Sequence, residues 1–475
     1  MTRQQQCPYA IDPSGRDIHG EAARLSEQGP LTRVVLPGGV EAWLVSGQEA
    51  IRKLLIDPRI SKDAYRHWPA WINGEIAETW PLAIWVSVQN MVTAYGDDHK
   101  RLRGLVASAF TTRRVALLRP RVEEITEALL DDLAREGDGD GGGSDGGGSD
   151  GGGRGGAGDG RGGDGADSDS DSGSGSGSGS GAGGGGRPVD FRSRFAHLLP
   201  TRVLSELFGI PEEFRASLHR IISGFFDTTA SMEAARSNQV DLYRTMGRLV
   251  ALKRETPGED LTTSLINARD ENNGSRLSEK ELVDNLILLF TAGYETTVNL
   301  LDNAVCLLLA NPAQLARVRA GEATWADAVE EALRAEAPGA NGILRYAVED
   351  VAVGDTVIAK GEPIVISFAA AGRDRAVHGD DAHRFDVTRA TRREHLSFGH
   401  GAHFCVGAQL ARMEAEIALR GLFERFPEVA LAVPAENLRP LGSFISNGHQ
   451  EVPLRLGPQR EGGSRARVSA AGVHG

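Results

Sequence analysis

The sequence predicts one large, mainly α domain with a minor β region. Three observations predict it. Helical periodicity runs on both sides of a long Gly/Ser/Asp-rich stretch, a long apolar helix candidate lies in the second half, and the strand-like runs are few and short. The 475 residues are 40% hydrophobic, enough to bury a sizeable core. Length alone fits two or three domains. The halves flanking the Gly/Ser/Asp stretch share no repeat, however, and the helical pattern resumes beyond it.

Each element has its own signal. Val115, Leu118, Val122, Ile125, Leu129 and Leu133 recur at helical spacing, so residues 115–133 read as an amphipathic helix. Residues 188–210 read as a short extended start and another helix. A long helix is expected over 278–309. Ser278 opens it, with Glu281 three residues on as a capping box, and Pro312 marks the far end. A further helix is expected over 325–335. Strand-like runs occupy 32–36, 42–45, 351–353, 363–367 and 452–456.

Residues 137–186 hold almost only Gly, Ser and Asp, including GGGSDGGGSD and SGSGSGSGSG. No apolar residue there exceeds Ala, so burial cannot offset ordering entropy. They are expected to be a disordered insertion. The fold is then residues 1–136 and 187–457, with 458–475 a flexible tail. The insertion carries nine Asp against two Arg, −7 of the net −13, which leaves −6 elsewhere. Nucleic-acid binding is not expected of so acidic a chain. The polar start MTRQQQCPYAIDPSGRD has no apolar h-region, and the most apolar stretch, around Asn285 to Tyr294, is too short to span a membrane. Cys7, Cys306 and Cys405 are too few and too scattered for a disulfide framework. A monomer in the reducing cytoplasm, without a membrane anchor, is expected.

The most informative stretch runs from Phe398 through Gly399, His400, Gly401 and His403 to Cys405 and Gly407. A Gly-rich loop precedes Cys405 and a helix-forming pattern follows it. The sulfur is thus expected near a helix N-terminus, where amides and the helix dipole stabilise a thiolate. The glycines let backbone pass close to something flat and large. Other readings stand beside this one: a small buried Cys, a nucleophilic Cys, or a zinc site from His395, His400, His403 and Cys405.

The pattern Phe398-x-x-Gly401-x-His403-x-Cys405-x-Gly407 resembles the haem-binding signature of the cytochrome P450 monooxygenases, most closely the soluble actinobacterial members. Other landmarks of that family occur in order across nearly the whole chain outside the insertion and tail. The resemblance implies a triangular helical prism enclosing haem b, with Cys405 as axial iron ligand and Phe398, Gly399 and Gly407 around the sulfur. It implies that His99, Arg103, Arg345 and His403 bind the haem propionates. Glu331 and Arg334, which on spacing alone could be a surface pair, resemble the family's Glu-x-x-Arg motif, with Arg384 as the downstream partner in a structural network.

In Ala292-Gly293-Tyr294-Glu295-Thr296 the residues by themselves fit a tightly packed helix crossing. By resemblance they form the oxygen-binding groove, with Gly293 leaving room beside the iron, Thr296 bonding dioxygen and Glu295 relaying protons. The implied function is O2-dependent hydroxylation or epoxidation of a lipophilic small molecule, a secondary metabolite such as a macrolide, or a steroid. Oxidative coupling or cyclisation on the same haem chemistry is an alternative, and a haem-binding sensor a second one. The pocket walls are expected from residues 68–92, the long helix, 337–344 and the turn at 444–448. The Trp-rich first segment reads equally as core. Electrons are expected from NAD(P)H through a ferredoxin reductase and a ferredoxin, the ferredoxin docking on a basic patch of Lys100, Arg101, Arg113, Arg114 and Arg412.

Overall fold

The computed structural model describes residues 7–76, 80–138, 187–225, 231–270 and 274–460. Most of the expected insertion and tail, 139–186 and 461–475, lies outside these described residues. Helices dominate. The longest, Glu279–Ala310, is buried along most of its length, and the helices Leu198–Phe208, Met232–Glu255, Trp325–Ala335 and Ala408–Arg425 pack around it, with Arg119–Gly137 lying against Leu198–Phe208 and Ala408–Arg425. The Ser278 hydroxyl accepts from the Glu281 amide and the Glu281 carboxylate accepts from the Ser278 amide, closing the capping box. Leu286, Phe290, Val298, Leu301 and Val305 carry the main apolar core along this helix.

The expected helix over 115–133 is two helices, Thr112–Leu117 and Arg119–Gly137. Pro120 explains the break, because its ring clashes with the preceding turn yet suits the first turn of a new helix. The stretch after 187 forms the short strand Val189–Asp190, the π-helical turn Arg192–Ala196 and the helix Leu198–Phe208. The β region is mainly one mixed sheet, ordered Tyr9–Ala10, Leu31–Leu36, Val40–Val45, Pro363–Ser367, Asn341–Ala347 and Ile60–Ser61. The strand Asn341–Ala347 went unread in the sequence. Gly342 and a register shift before Arg345 interrupt its alternation. That strand places Arg345, and Ser61 pairs with Tyr346 beside it. Trp68, Trp71 and Trp80 are buried with Tyr346 in the sheet's own core, Trp68 stacking on Tyr346 at 5.4 Å. These tryptophans are core rather than pocket wall.

Candidate active site

Cys405 precedes the helix Ala408–Arg425, and its own amide donates to the Phe398 carbonyl at 2.9 Å, closing the loop. Gly399 and Gly401 adopt φ of 72° and 70°. A Cβ on Gly401 would lie 2.8 Å from Ile56 and 2.9 Å from the Leu55 carbonyl, so a side chain there is excluded twice over. The Arg412 guanidinium covers the Phe398 ring at 4.4 Å. Burial pushes the Cys405 thiol up, while the Gly407 and Ala408 amides and the charges of Arg103 and Arg412 pull it down. A cation bound at this sulfur therefore displaces a proton.

Basic groups converge beside the loop. His99 and His403 stack with ring centroids 4.1 Å apart, and Arg103 donates to the Phe404 carbonyl at 2.6 Å. Lys62 follows the strand Ile60–Ser61, one residue past the pairing of Ser61 with Tyr346, next to Arg345. Burial holds His403 down to about 2, with Lys62, His99, Arg345 and Arg103 adding repulsion. Burial likewise lowers Arg345 to about 10. His99 Nε2 and Arg345 Nη1 are buried without a hydrogen-bond partner. None of these five residues has a carboxylate partner among the described residues. Such a cradle is incomplete without anionic oxygens, because unpaired buried donors and like charges are costly. Lys62 was missed in the sequence: one Lys in Ile60-Ser61-Lys62-Asp63 carries no signal until the sheet sets it beside Arg345.

On the long helix, Ala292 and Thr296 are accessible on one face, while Tyr294 and Glu295 are buried. The Thr296 hydroxyl donates to the Ala292 carbonyl at 2.6 Å. Gly293 does not lie on that face. A Cβ there would meet Leu204 at 3.3 Å, so Gly293 serves the close crossing with Leu198–Phe208, and Ala292 is the small residue on the accessible face. Burial raises the Glu295 carboxyl, against the pull of Arg192, whose Nη2 lies 3.1 Å away. The zinc candidates do not come together. His395 instead meets Glu330 at 3.1 Å, and the described residues hold one cluster of His, Cys and Asp, made of Asp302, Cys306 and His449.

Arg334 is fully buried. It donates to both Glu331 oxygens at 2.8 and 2.7 Å and to the carbonyls of Gly372, Ala382 and Arg384. The second arginine on Glu331 is Arg389, at 3.3 Å. Arg384 supplies only its carbonyl and its side chain is exposed, which corrects the expectation for it. Arg384 lies one turn too early, where the chain presents its carbonyl inward and its side chain outward. The expected basic patch is also largely tied up. Arg101 pairs with Glu281, Arg412 with Glu330 and Lys100 with Asp97, while Arg114 donates to Ala109 and Ser264.

The cytochrome P450 family profile matches residues 195–322 and 325–432. The chain is 41% identical to 2-hydroxy-5-methyl-1-naphthoate 7-hydroxylase of Streptomyces carzinostaticus, over 95% of this chain and 98% of that protein. The chain belongs to the cytochrome P450 family. This P450 is also 33% identical to mycinamicin IV hydroxylase/epoxidase of Micromonospora griseorubida, over 96% of this chain and all of that one. Among solved structures it matches CYP154A1 from Streptomyces coelicolor A3(2), at 45% identity and a TM-score of 0.80, covering 94% of this chain and 100% of that one. It is thus a cytochrome P450 monooxygenase, and the family's cofactor is haem. The thiol at a helix start and the unpaired basic cradle fit a dicarboxylate iron porphyrin. Among the described residues no helix is long and apolar enough to cross a membrane.

Proposed function

We propose that this P450 hydroxylates or epoxidises a lipophilic secondary metabolite of macrolide or steroid class. The observation that carries the reading is the pairing of an accessible Thr296 with a buried, arginine-held Glu295 on one helix. In this reading the Cys405 thiolate would hold the iron of haem b, with Phe398, Gly399 and Gly407 shaping its loop. His99, Arg103, Arg345 and His403, joined by Lys62, take the two propionates. Glu331, Arg334 and Arg389 hold the loop from beneath.

When bound, thiolate-ligated haem supplies oxygen activation, the sulfur's electron density favouring O–O cleavage. Thr296 orients the oxygen and carries protons to it from Glu295, which burial keeps ready to hold a proton. Electrons come from NAD(P)H through a ferredoxin reductase and a ferredoxin, in the cytoplasm, to a monomeric enzyme. Domain organisation follows the same reading, with one catalytic domain over 1–136 and 187–457. The turn Phe444 to Gly448 and the Ala337 to Leu344 segment close the substrate pocket.

The test is Thr296→Ala, assayed with a ferredoxin system and a lipophilic substrate that gives a haem spin-state shift. Product formed per NAD(P)H should fall about tenfold or more, with peroxide making up the difference. Unchanged coupling removes the role given to Thr296.

A further inference from the structure

Behind Glu295 lies a cluster that oxygen activation as described does not use. Arg192, on the π-helical turn Arg192–Ala196, is 2% exposed. Its fork divides between two carboxylates of the long helix: Nη2 lies 3.1 Å from Glu295 Oε1, and Nη1 lies 2.7 Å from Asp302 Oδ2. Seven residues apart is close to two helical turns, so one guanidinium spans both. Asp302 is fully buried. Its Oδ1 meets His449 Nδ1 at 2.6 Å, and its Oδ2 accepts the His449 amide at 2.8 Å. His449 in turn borders a surface cleft of about 300 Å³, lined also by Asn303, Cys306 and Glu336.

A metal is a poor tenant here. A 2.6 Å contact between Nδ1 and Oδ1 needs a hydrogen between the two atoms, and Arg192 already occupies the other oxygen. Cys306 lies 3.7 Å from Asp302 and 3.9 Å from His449, and burial raises its thiol well up, so it stays neutral. The remaining charges decide the matter. Two buried carboxylates face one permanent cation, so the cluster is neutral only when it binds one more proton. Glu295 can hold it, since burial raises that carboxyl. His449 can hold it too: burial opposes its charge, but Asp302 and the nearby Glu336 outweigh that, against repulsion from Arg192. Glu336 itself is spoken for by His19 and Arg373, each at 2.6 Å. Glu295 is further contacted by Asn299, whose Oδ1 is buried and has no hydrogen-bond partner.

We propose that Asp302 and His449 are positioning residues for Glu295: coupled through the fork of Arg192, the cluster holds one exchangeable proton that resides on either His449 or Glu295. This rests on the reading of Glu295 as proton source for Thr296. Each O2 reduced by the two electrons from the ferredoxin consumes two protons, one oxygen leaving as water. A donor that empties must refill, and His449 offers the cluster's solvent edge, with 23% of its side chain accessible. Such a pair titrates as a unit, so removing either end redistributes the proton rather than only weakening the fold.

The two ends predict opposite signs. Asp302→Asn deletes one negative charge, leaves Arg192 to Glu295 alone and makes the cluster neutral without the extra proton. Glu295 then ionises about one pH unit or more lower. His449→Gln keeps both carboxylates but removes the rival holder, so the proton settles on Glu295. In the haem-loaded protein, infrared difference spectra should show the protonated-carboxyl band of Glu295, assigned by its loss in Glu295→Gln. At neutral pH the band should weaken in Asp302→Asn and strengthen in His449→Gln. Product per NAD(P)H should fall several-fold in the first variant, where Glu295 is left ionised, and in the second as well, where the solvent edge that refills Glu295 is lost. Bands that move in the same direction, or not at all, overturn the proposal. Should Asp302→Asn fail to bind haem, the surface-edge variant decides alone, because His449→Gln must strengthen the band. If Glu295→Gln leaves coupling intact while the band shifts keep their signs, it is the proton-source reading that falls and not the shared proton.

Discussion

Removing the Glu331 carboxylate tests the buried network that ties the helix Trp325–Ala335 to Gly372, Ala382 and the segment from Arg384 to Arg389. Glu331 is fully buried and receives four donors: Nε and Nη2 of Arg334 at 2.8 and 2.7 Å, Nε of Arg389 at 3.3 Å and the Asp386 amide at 2.9 Å. Glu331→Ala leaves the buried Arg334 guanidinium without its anion, while Arg389 keeps Asp381 at 2.9 Å, a loss of about 3–5 kcal/mol for a broken buried pair. The lower end applies, because Arg334 keeps its bonds to Gly372, Ala382 and Arg384. Glu331→Gln retains an acceptor but not the charge and should cost about 2 kcal/mol. A haem protein of this size need not unfold in two states, so urea titrations should follow tryptophan emission and the Soret band in parallel. A drop of about 1 M in midpoint is expected for the alanine variant. Arg389→Ala should cost about 2 kcal/mol or more, whereas the exposed Arg384→Ala should stay within about 0.5 kcal/mol. Equal losses at 384 and 389, or a Glu331→Gln midpoint matching the parent, refute this account.

Two buried glutamates give pH tests of opposite slope. Burial disfavours the Glu330 anion, but His395 and Arg412 bond it and hold it down to about 2, from an ordinary 4.5. Its folded value is depressed, so its contribution, about 3 kcal/mol, is complete above pH 4.5 and lost as pH falls towards 2. Glu330→Gln should flatten the acid limb of stability against pH, and an acid limb parallel to the parent's would contradict the assignment. Glu414 has the reverse sign: burial lifts it to about 8, and its Oε2 has no partner. The penalty for burying it is absent below pH 4.5 and grows as pH rises towards 8. Glu414→Gln should therefore stabilise by about 2–3 kcal/mol at pH 7 and by almost nothing at pH 4, read from urea midpoints. A gain that is the same at both pH values would show that charge is not the cause.

What the sequence discloses of this P450 is what lies close along the chain. The Cys405 loop, the Ala292 to Thr296 turn, the capping box at Ser278 and the Glu331–Arg334 pair are all local patterns, and each occupies the expected element. The misplacements come where a local pattern leaves direction open. Gly293 was given the accessible face, but its helical phase turns it toward Leu204. Arg384 and Arg389 sit in one irregular segment, and only the path of the backbone decides which side chain turns inward. Val115 to Leu133 kept its apolar phase through a break that Pro120 makes and periodicity cannot register.

Long-range pairing explains the residues that were missed outright. Arg192, Asp302 and His449 lie in three segments separated by 110 and 147 residues, and each alone reads as an ordinary polar side chain. Lys62 likewise acquires a purpose only when Ser61 pairs with Tyr346. Charge is sorted in a way no local pattern shows. On one side five basic groups gather without a carboxylate partner among the described residues, a cradle that a dicarboxylate would complete. Behind the long helix two acids share one arginine and call for a proton. An enzyme that must hold an anionic cofactor and still pass protons to oxygen needs those two imbalances kept apart. The helix Glu279–Ala310 presents Thr296 on one face and Glu295 and Asp302 on another. Neutralising Asp302 would thus disturb proton supply without touching the cradle, while neutralising Arg345 would loosen the cofactor and leave the shared proton in place.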